Sequence, residues 1–313
     1  MSNLSKHPEE LLLTDATAPA SLEILEPRDV PLGGPRAMGV RRTLPQRSRS
    51  LIGGWCFVDH YGPELTEMVV PPHPHTGLQT VSWLFAGDVE HRDSVGSRET
   101  VRPGEVNLMT AGFGIQHSEV SPRMLLHGVQ LWIALPDTHR NVAPFFEHHV
   151  PVPFELEGAT VRAFVGGDSP VTTFSPLLGA QVDLPPHTTI DYPVDPAFEH
   201  GVLLDTGSVT VDGAAVPVSH LAYLAPGSAT IRLESGPDAT RLILLGGEPL
   251  GEQIVMWWNF IARSHEEIVG FRDEWQREVI GHGSSVGRFG HTDYDGLALP
   301  APELPTVRLK PRG

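Results

Sequence analysis

The sequence predicts an all-β protein: two tandem antiparallel barrels, then one C-terminal helix and an extended tail. Three observations carry that expectation. The 32 glycines and 30 prolines are scattered between short segments rich in Val, Leu, Ile, Thr and aromatics, the pattern of many short strands joined by turns. Those segments, among them LQTVSWLFAG (78–87), EVNLMTAG (105–112), GVQLWIAL (128–135), HGVLLDTG (200–207) and TRLILLGG (240–247), recur at an interval that fits a sandwich or barrel rather than alternating β and α units. A weak internal repeat then doubles the design. A strand ending in a turn glycine, a polar hairpin and a Pro-Gly turn occur once around Gly87 and Pro103-Gly104, and again around Gly207, Val211-Asp212-Gly213 and Pro226-Gly227.

In chain order, this reading gives an N-terminal barrel over 1–140, a linker over 141–165, a C-terminal barrel over 166–263, and a helix and tail over 264–313. The linker is placed by the run of Pro and His within 136–153. Ser264-His265-Glu266-Glu267 fits a capping box, a hydroxyl at the N-cap and a carboxylate three residues on, and Ile268, Phe271, Trp275 and Val279 then recur at helical spacing. The last stretch, GRFGHTDYDGLALPAPELPTVRLKPRG, is too rich in Pro and Gly for regular structure and should be either disordered or laid in extended form across another domain.

With 40% hydrophobic residues in 313, the chain has material for two domain-sized cores. The 38 acidic against 22 basic residues, a formal charge of −16, disfavour direct nucleic-acid binding, because phosphate affinity needs clustered cations. Arg41-Arg42 and Arg47 to Arg49 are the one local basic stretch, and a solvated loop is its ordinary explanation. A small ligand or a protein partner is the better expectation. The longest apolar runs are strand-sized, so no membrane span is expected. The single cysteine, Cys56, excludes an internal disulfide framework, and the first residues lack a basic stretch followed by an apolar run, so a cytoplasmic location is expected.

Side chains alternate across a strand, so His73 and His75 in PPHPHTG project from one face, as do His117 and Glu119 in GIQHSE. If the two segments lie side by side with both pairs inward, three imidazoles and a carboxylate converge on a single divalent ion. Pro71, Pro72 and Pro74 stiffen the first segment and imply a barrel rim. In a chain with 16 histidines an isolated HxH carries little weight; its pairing with HxE carries the argument. His91, His127, His139 and His148-His149, without partners at strand spacing, are read as structural. Val81, Trp83, Ile115 and Trp132 are candidates for a pocket wall, with plain barrel core as the competing reading.

PPHPHTGLQTV, EHRDSVG, RPGEVNLMTAGFGIQHSE and HGVQLWIALP, with WNFIARSHEEI and the RFG and LPAPELP elements of the tail, together resemble the pirin family, a branch of the cupin superfamily. The resemblance runs from about residue 25 to the end. It implies two cupin jelly-roll barrels, of which only the first holds a metal, commonly iron, through His73, His75, His117 and Glu119. The second barrel agrees, since between 176 and 250 its histidines are His187, His200 and His220, with no HxH. The chain departs from the general cupin pattern at Gln79, four residues past His75, where many cupins place a ligand glutamate. Gln79 is at best an outer partner of the site.

The resemblance supports functions of two classes. In one, the ion, expected to be Fe(II), binds the oxygen pair of a flavonol such as quercetin and prepares it for 2,3-cleavage by dioxygen, with Glu119 as ligand and catalytic proton acceptor. In the other, the ion is a structural or redox-sensing element of a protein that binds transcription regulators or metabolic enzymes.

Overall fold

The computed structural model describes residues 22–31, 38–281 and 287–313. The alternating apolar segments form antiparallel strands, as their two-residue period requires. The first barrel is a nine-stranded sheet whose central path runs Phe145–His149, Val106–Thr110, Leu78–Ala86, Ile115–Ala134, Trp55–His75, Gly39–Leu44 and Arg28–Pro31. The hairpin Val89–Asp93/Arg98–Val101 folds back onto Ile115–Ala134. Two strands are unusually long, Trp55–His75 with 21 residues and Ile115–Ala134 with 20, and they pair along nearly their whole length. Register shifts between Tyr61 and Glu64 and between Val70 and His73 bend the pair, which lets one ribbon serve both walls of the barrel.

The second barrel closes a seven-stranded sheet, from Leu22–Leu25 at one edge to Phe154–Leu156 at the other, over a four-stranded sheet containing Thr189–Pro193 and Thr230–Ser235. Its interior is aliphatic, with Val182, Val202, Leu233, Leu242 and Leu244 buried together. Strand assignment differs from the expected division at two places. Leu22–Leu25 pairs with Leu221–Leu224, so the first described strand belongs to the second barrel's sheet. The stretch expected as a linker, 141–165, carries three strands: Phe145–His149 edges the first barrel, while Phe154–Leu156 and Ala159–Val165 belong to the second. Their apolar residues are few and interrupted by Pro and His, which hides strand periodicity in the sequence.

Between the barrels lies a third core in which Trp55, Val81, Trp83, Leu131 and Ile133 of the first pack with Phe164, Leu203, Leu221 and Ile243 of the second. Approach is closest at Gly53 and Gly247, where a Cβ on Gly53 would stand 2.6 Å from the Gly247 Cα, so only glycine fits. The expected helix is His265–Trp275, capped as anticipated by Ser264 and Glu267 in a reciprocal box. Its apolar face, Ile268 and Trp275, packs with Phe260, Phe289 and Ala301. Of the two fates expected for the tail, residues 287–313 take the second: the part up to Leu299 lies extended on the first barrel, with Leu299 N–H donating to Pro72 O at 2.8 Å and Gln116 Nε2 donating to Gly290 O at 2.6 Å, and the rest runs along the helix, where Arg272 Nε donates to Pro302 O at 2.7 Å.

Arg42 is not part of a basic face. It is buried on Asp59 in a two-pronged pair at 2.7 and 2.8 Å and lies over the Phe57 ring.

In the second barrel His200, 2% exposed, fits beside Gly246, where a Cβ would approach its Cδ2 to 2.9 Å. Burial pushes its pKa from 6.5 down to about 4, with Asp195 opposing. The folded-state value lies below the unfolded one, so between pH 6.5 and 4 the unfolded chain binds a proton that the folded chain does not. Stability is therefore lost as pH falls through that window. His200→Gln, which cannot titrate, should remove about 2 kcal/mol of the loss between pH 7 and 4.5, read as a flatter dependence of Tm on pH.

Candidate metal centre

The long paired strands bring the three expected histidines together. His73 pairs in register with His117, and His75 with Ile115. One ring nitrogen from each of His73, His75 and His117 falls within 4.8 Å of the others, and all three residues are 1% exposed. His73 Nδ1 donates to Pro71 O at 2.9 Å, which leaves its Nε2 as the free lone pair. His75 Nε2 and His117 Nε2 stand 3.1 Å apart. The His75 ring meets Trp132 edge-on at 5.2 Å, and Trp132 in turn stacks on Phe57 at 4.1 Å, giving the cluster an apolar wall.

Burial sets the charge state. Desolvation holds His73 at about 3 and His75 and His117 well below 6.5, and the neighbouring imidazoles add to the shift. All three rings are neutral at pH 7, so no proton competes for their lone pairs. The Nδ1 of His75 is buried against the Asn259 backbone, and its Nε2 meets only another ring nitrogen. A divalent cation is the group that such a donor set fits: soft enough for imidazole, and able to satisfy nitrogens that have no proton to share.

Glu119 lies on the same strand two residues from His117, also buried, but its carboxylate does not join the triangle of ring nitrogens. Its Oε1 accepts from Ser82 Oγ at 3.4 Å, and Ser82 also donates to Gln130 Oε1 at 3.0 Å. Desolvation raises the Glu119 pKa, against the pull of His91 and Ser82. Gln79 faces elsewhere: its amide donates to Thr110 Oγ1 at 2.9 Å and to Thr172 O at 2.8 Å, on the side of the second barrel. The proposed wall residues divide between two cores. Ile115 and Trp132 line the first barrel's interior, whereas Val81 and Trp83 point into the core between the barrels.

His91 was expected to lack a partner at strand spacing, and the structure corrects this. Asp93 stands two residues on, with Oδ2 at 3.1 Å from His91 Nε2, and His91 Nδ1 reaches His117 Nδ1 at 3.2 Å. The signal was present in EHRDSVG as an HxD pair with the same alternation as HPH. His127 joins a second cluster, with His60 and Asp205, across the barrel interface. Asp205 Oδ1 lies 2.7 Å from His60 Nε2 and 2.6 Å from His127 Nε2, while Arg241 binds Oδ2 at 2.6 Å. The Asp205–Arg241 pair balances its own charge there, so this cluster is a polar clasp between the barrels.

Two antiparallel barrels in one chain, with an inward histidine cluster in the first, define a bicupin. The chain matches the Pirin family model over residues 37–133 and the Pirin C-terminal cupin domain model over residues 179–281, and it belongs to the pirin family. A Pseudomonas aeruginosa protein named "Putative quercetin 2,3-dioxygenase PA1205" is 41% identical over 296 residues, 91% of each chain. A crystal structure of quercetin 2,3-dioxygenase from Acinetobacter baumannii superposes with a TM-score of 0.84 at 37% identity, covering 92% of this chain and 97% of that one. The bacterial pirin YhhW from Escherichia coli, solved in complex with nickel(II), shares the fold with a TM-score of 0.58 at 19% identity, over 73% of this chain and 99% of that one. Among the described residues no helix is long and apolar enough to cross a membrane.

Proposed function

We propose that the chain is a metal-dependent enzyme of the quercetin 2,3-dioxygenase type, opening the ring of a flavonol-type substrate at a mononuclear centre held by His73, His75, His117 and Glu119, with Fe(II) as the ion. The observation that carries this reading is the triangle of neutral imidazole nitrogens set beside a buried carboxylate inside an apolar barrel. The likeness to proteins named as quercetin 2,3-dioxygenases supports it. A bound divalent ion would polarise a pair of substrate oxygens and acidify the attached hydroxyl. The chain supplies the rest. Glu119, made more basic by burial, accepts that hydroxyl proton; Ser82 orients its carboxylate; and Trp132, Phe57 and Ile115 keep the site dry, so the charges act in a low dielectric.

Glu119→Gln keeps the side-chain shape and an oxygen donor but removes the proton acceptor. Oxygen uptake should fall at least about 100-fold while metal content stays near that of the wild type.

A second reading, an iron-dependent regulatory or redox-sensing protein that binds transcription factors or metabolic enzymes, is favoured by one observation. His73, His75 and His117 are 1% exposed and Glu119 5%, which suits an ion that is read rather than reached. The deciding measurement is oxygen consumption by anaerobically iron-loaded protein on addition of quercetin, beside His117→Ala. Uptake by the wild type alone supports the enzyme; uptake absent, or equal in the variant, leaves the sensing protein. Elemental analysis of the native chain identifies the ion.

A further inference from the structure

The EHRDSVG hairpin contributes nothing to the proposed ligand set, yet it places two buried polar side chains directly behind one ligand. The hairpin strand pairs with Ile115–Ala134 so that His91 lies opposite Glu119 and Asp93 opposite His117. His91 is 4% exposed and Asp93 3%. His91 is held flat against Phe146, ring centroids 4.6 Å apart and planes 22° from parallel. Asp93 Oδ1 accepts from the Val95 and Ser97 N–H groups at 3.0 and 2.9 Å, and Oδ2 faces His91 Nε2 at 3.1 Å.

With His91 neutral, these contacts decide where the protons sit. Asp93 is an acceptor in all three bonds, so a neutral His91 carries its proton on Nε2 and has a bare Nδ1. That bare nitrogen, 3.2 Å from His117 Nδ1, accepts a hydrogen bond from it. His117 is then protonated on Nδ1 and bare on Nε2, the nitrogen that faces His75. A single anion three groups away thus selects the one tautomer of His117 able to bind a cation, as carboxylates behind metal-ligating histidines do in general. Charge completes the argument. Glu119 alone leaves a divalent ion with one unbalanced positive charge in a buried site; Asp93 supplies the second negative charge within the same connected network.

Resting on the metal centre proposed above, we infer that Asp93 and His91 form a positioning relay that locks His117 in its ligating tautomer and tunes the affinity and reduction potential of the bound ion. The test measures Zn(II) affinity by chelator competition and the Fe(III)/Fe(II) midpoint potential of iron-loaded protein, in full-length wild type, Asp93→Asn, His91→Phe and His117→Ala. In Asp93→Asn the amide oxygen keeps the turn and the NH₂ faces His91, which reverses both tautomers and leaves a proton on His117 Nε2. Zn(II) affinity should fall about 10- to 100-fold and the midpoint potential should rise, since a negative charge is lost near the ion. His91→Phe leaves Asp93 and its turn intact, keeps a ring against Phe146, and should weaken Zn(II) binding similarly, which separates the relay from any folding defect at the turn. Wild-type affinity and potential in both variants, with binding lost in His117→Ala, would overturn the relay while leaving the metal centre standing. A wild-type chain that takes up no ion at this site, or a His117→Ala chain that binds as well as the wild type, overturns the metal centre and the relay with it.

Discussion

His117→Ala should strip the ion from the purified protein. His117 sits at the middle of the cluster, paired in register with His73 and with its Nε2 3.1 Å from that of His75. Structural metal sites release about 10 to 16 kcal/mol on binding, so one ligand of four is worth roughly 3 kcal/mol, more than a hundredfold in affinity. The loss is compounded because the site is buried and alanine leaves no side chain that could take the vacated position. Metal content by elemental analysis after gel filtration is the readout, expected to fall from about one ion per chain to near zero. His148→Ala provides the control: His148 is exposed and partnered by Asn107, and its loss should leave metal content unchanged.

The second large effect is on stability. Trp83 is fully buried between the barrels, stacked on Phe164 at 4.7 Å, and its indole N–H donates to Gln181 Oε1 at 2.9 Å. Both partners belong to the second barrel's sheet. Trp83→Ala removes a large, fully buried side chain from this interface, opens a cavity, and leaves the Gln181 oxygen without its donor. A cost of about 4 kcal/mol is expected, measured as a lowered urea midpoint. Trp83→Phe, which keeps the stack and loses only the N–H, should cost about 1 to 2 kcal/mol. In both variants metal content should hold, because the side chain points away from His73, His75 and His117. A variant that unfolded no more easily but lost activity would return Trp83 to the pocket wall.

The fold was legible in the sequence wherever a two-residue or helical period ran uninterrupted, and the Ser264 capping box marked the helix start. The cluster was legible for the same reason: alternation alone puts His73 beside His75, and His117 beside Glu119, on a shared face. What alternation cannot give is which face of a strand meets which neighbour. Val81 and Trp83 obey the same parity as wall residues, but in a two-barrel molecule their side of the strand is covered by Phe164 and Ile243 rather than by a pocket. Nor can local pattern reach Asp205, which meets His60 and His127 from the other barrel, or the edge strand Leu22–Leu25, whose partner is about 200 residues away. The carboxylate of Glu119 turns toward Ser82 on a neighbouring strand, a contact set by sheet order that no spacing rule encodes.

The first and last described segments change sides. Leu22–Leu25 completes the sheet of the second barrel, while residues 287–299, which follow that barrel, are laid over the first, against Pro72 and Gln116 on the strands that carry His73 and His117. The molecule is therefore tied like a parcel rather than strung like beads. Each half, cut free between the barrels, would lose a piece that only the other half can return: an unpaired edge along Leu221–Leu224 in one, an uncovered back to the histidine strands in the other. The crossed segments make the span from Leu22 through the tail, rather than either barrel, the unit that keeps the centre intact.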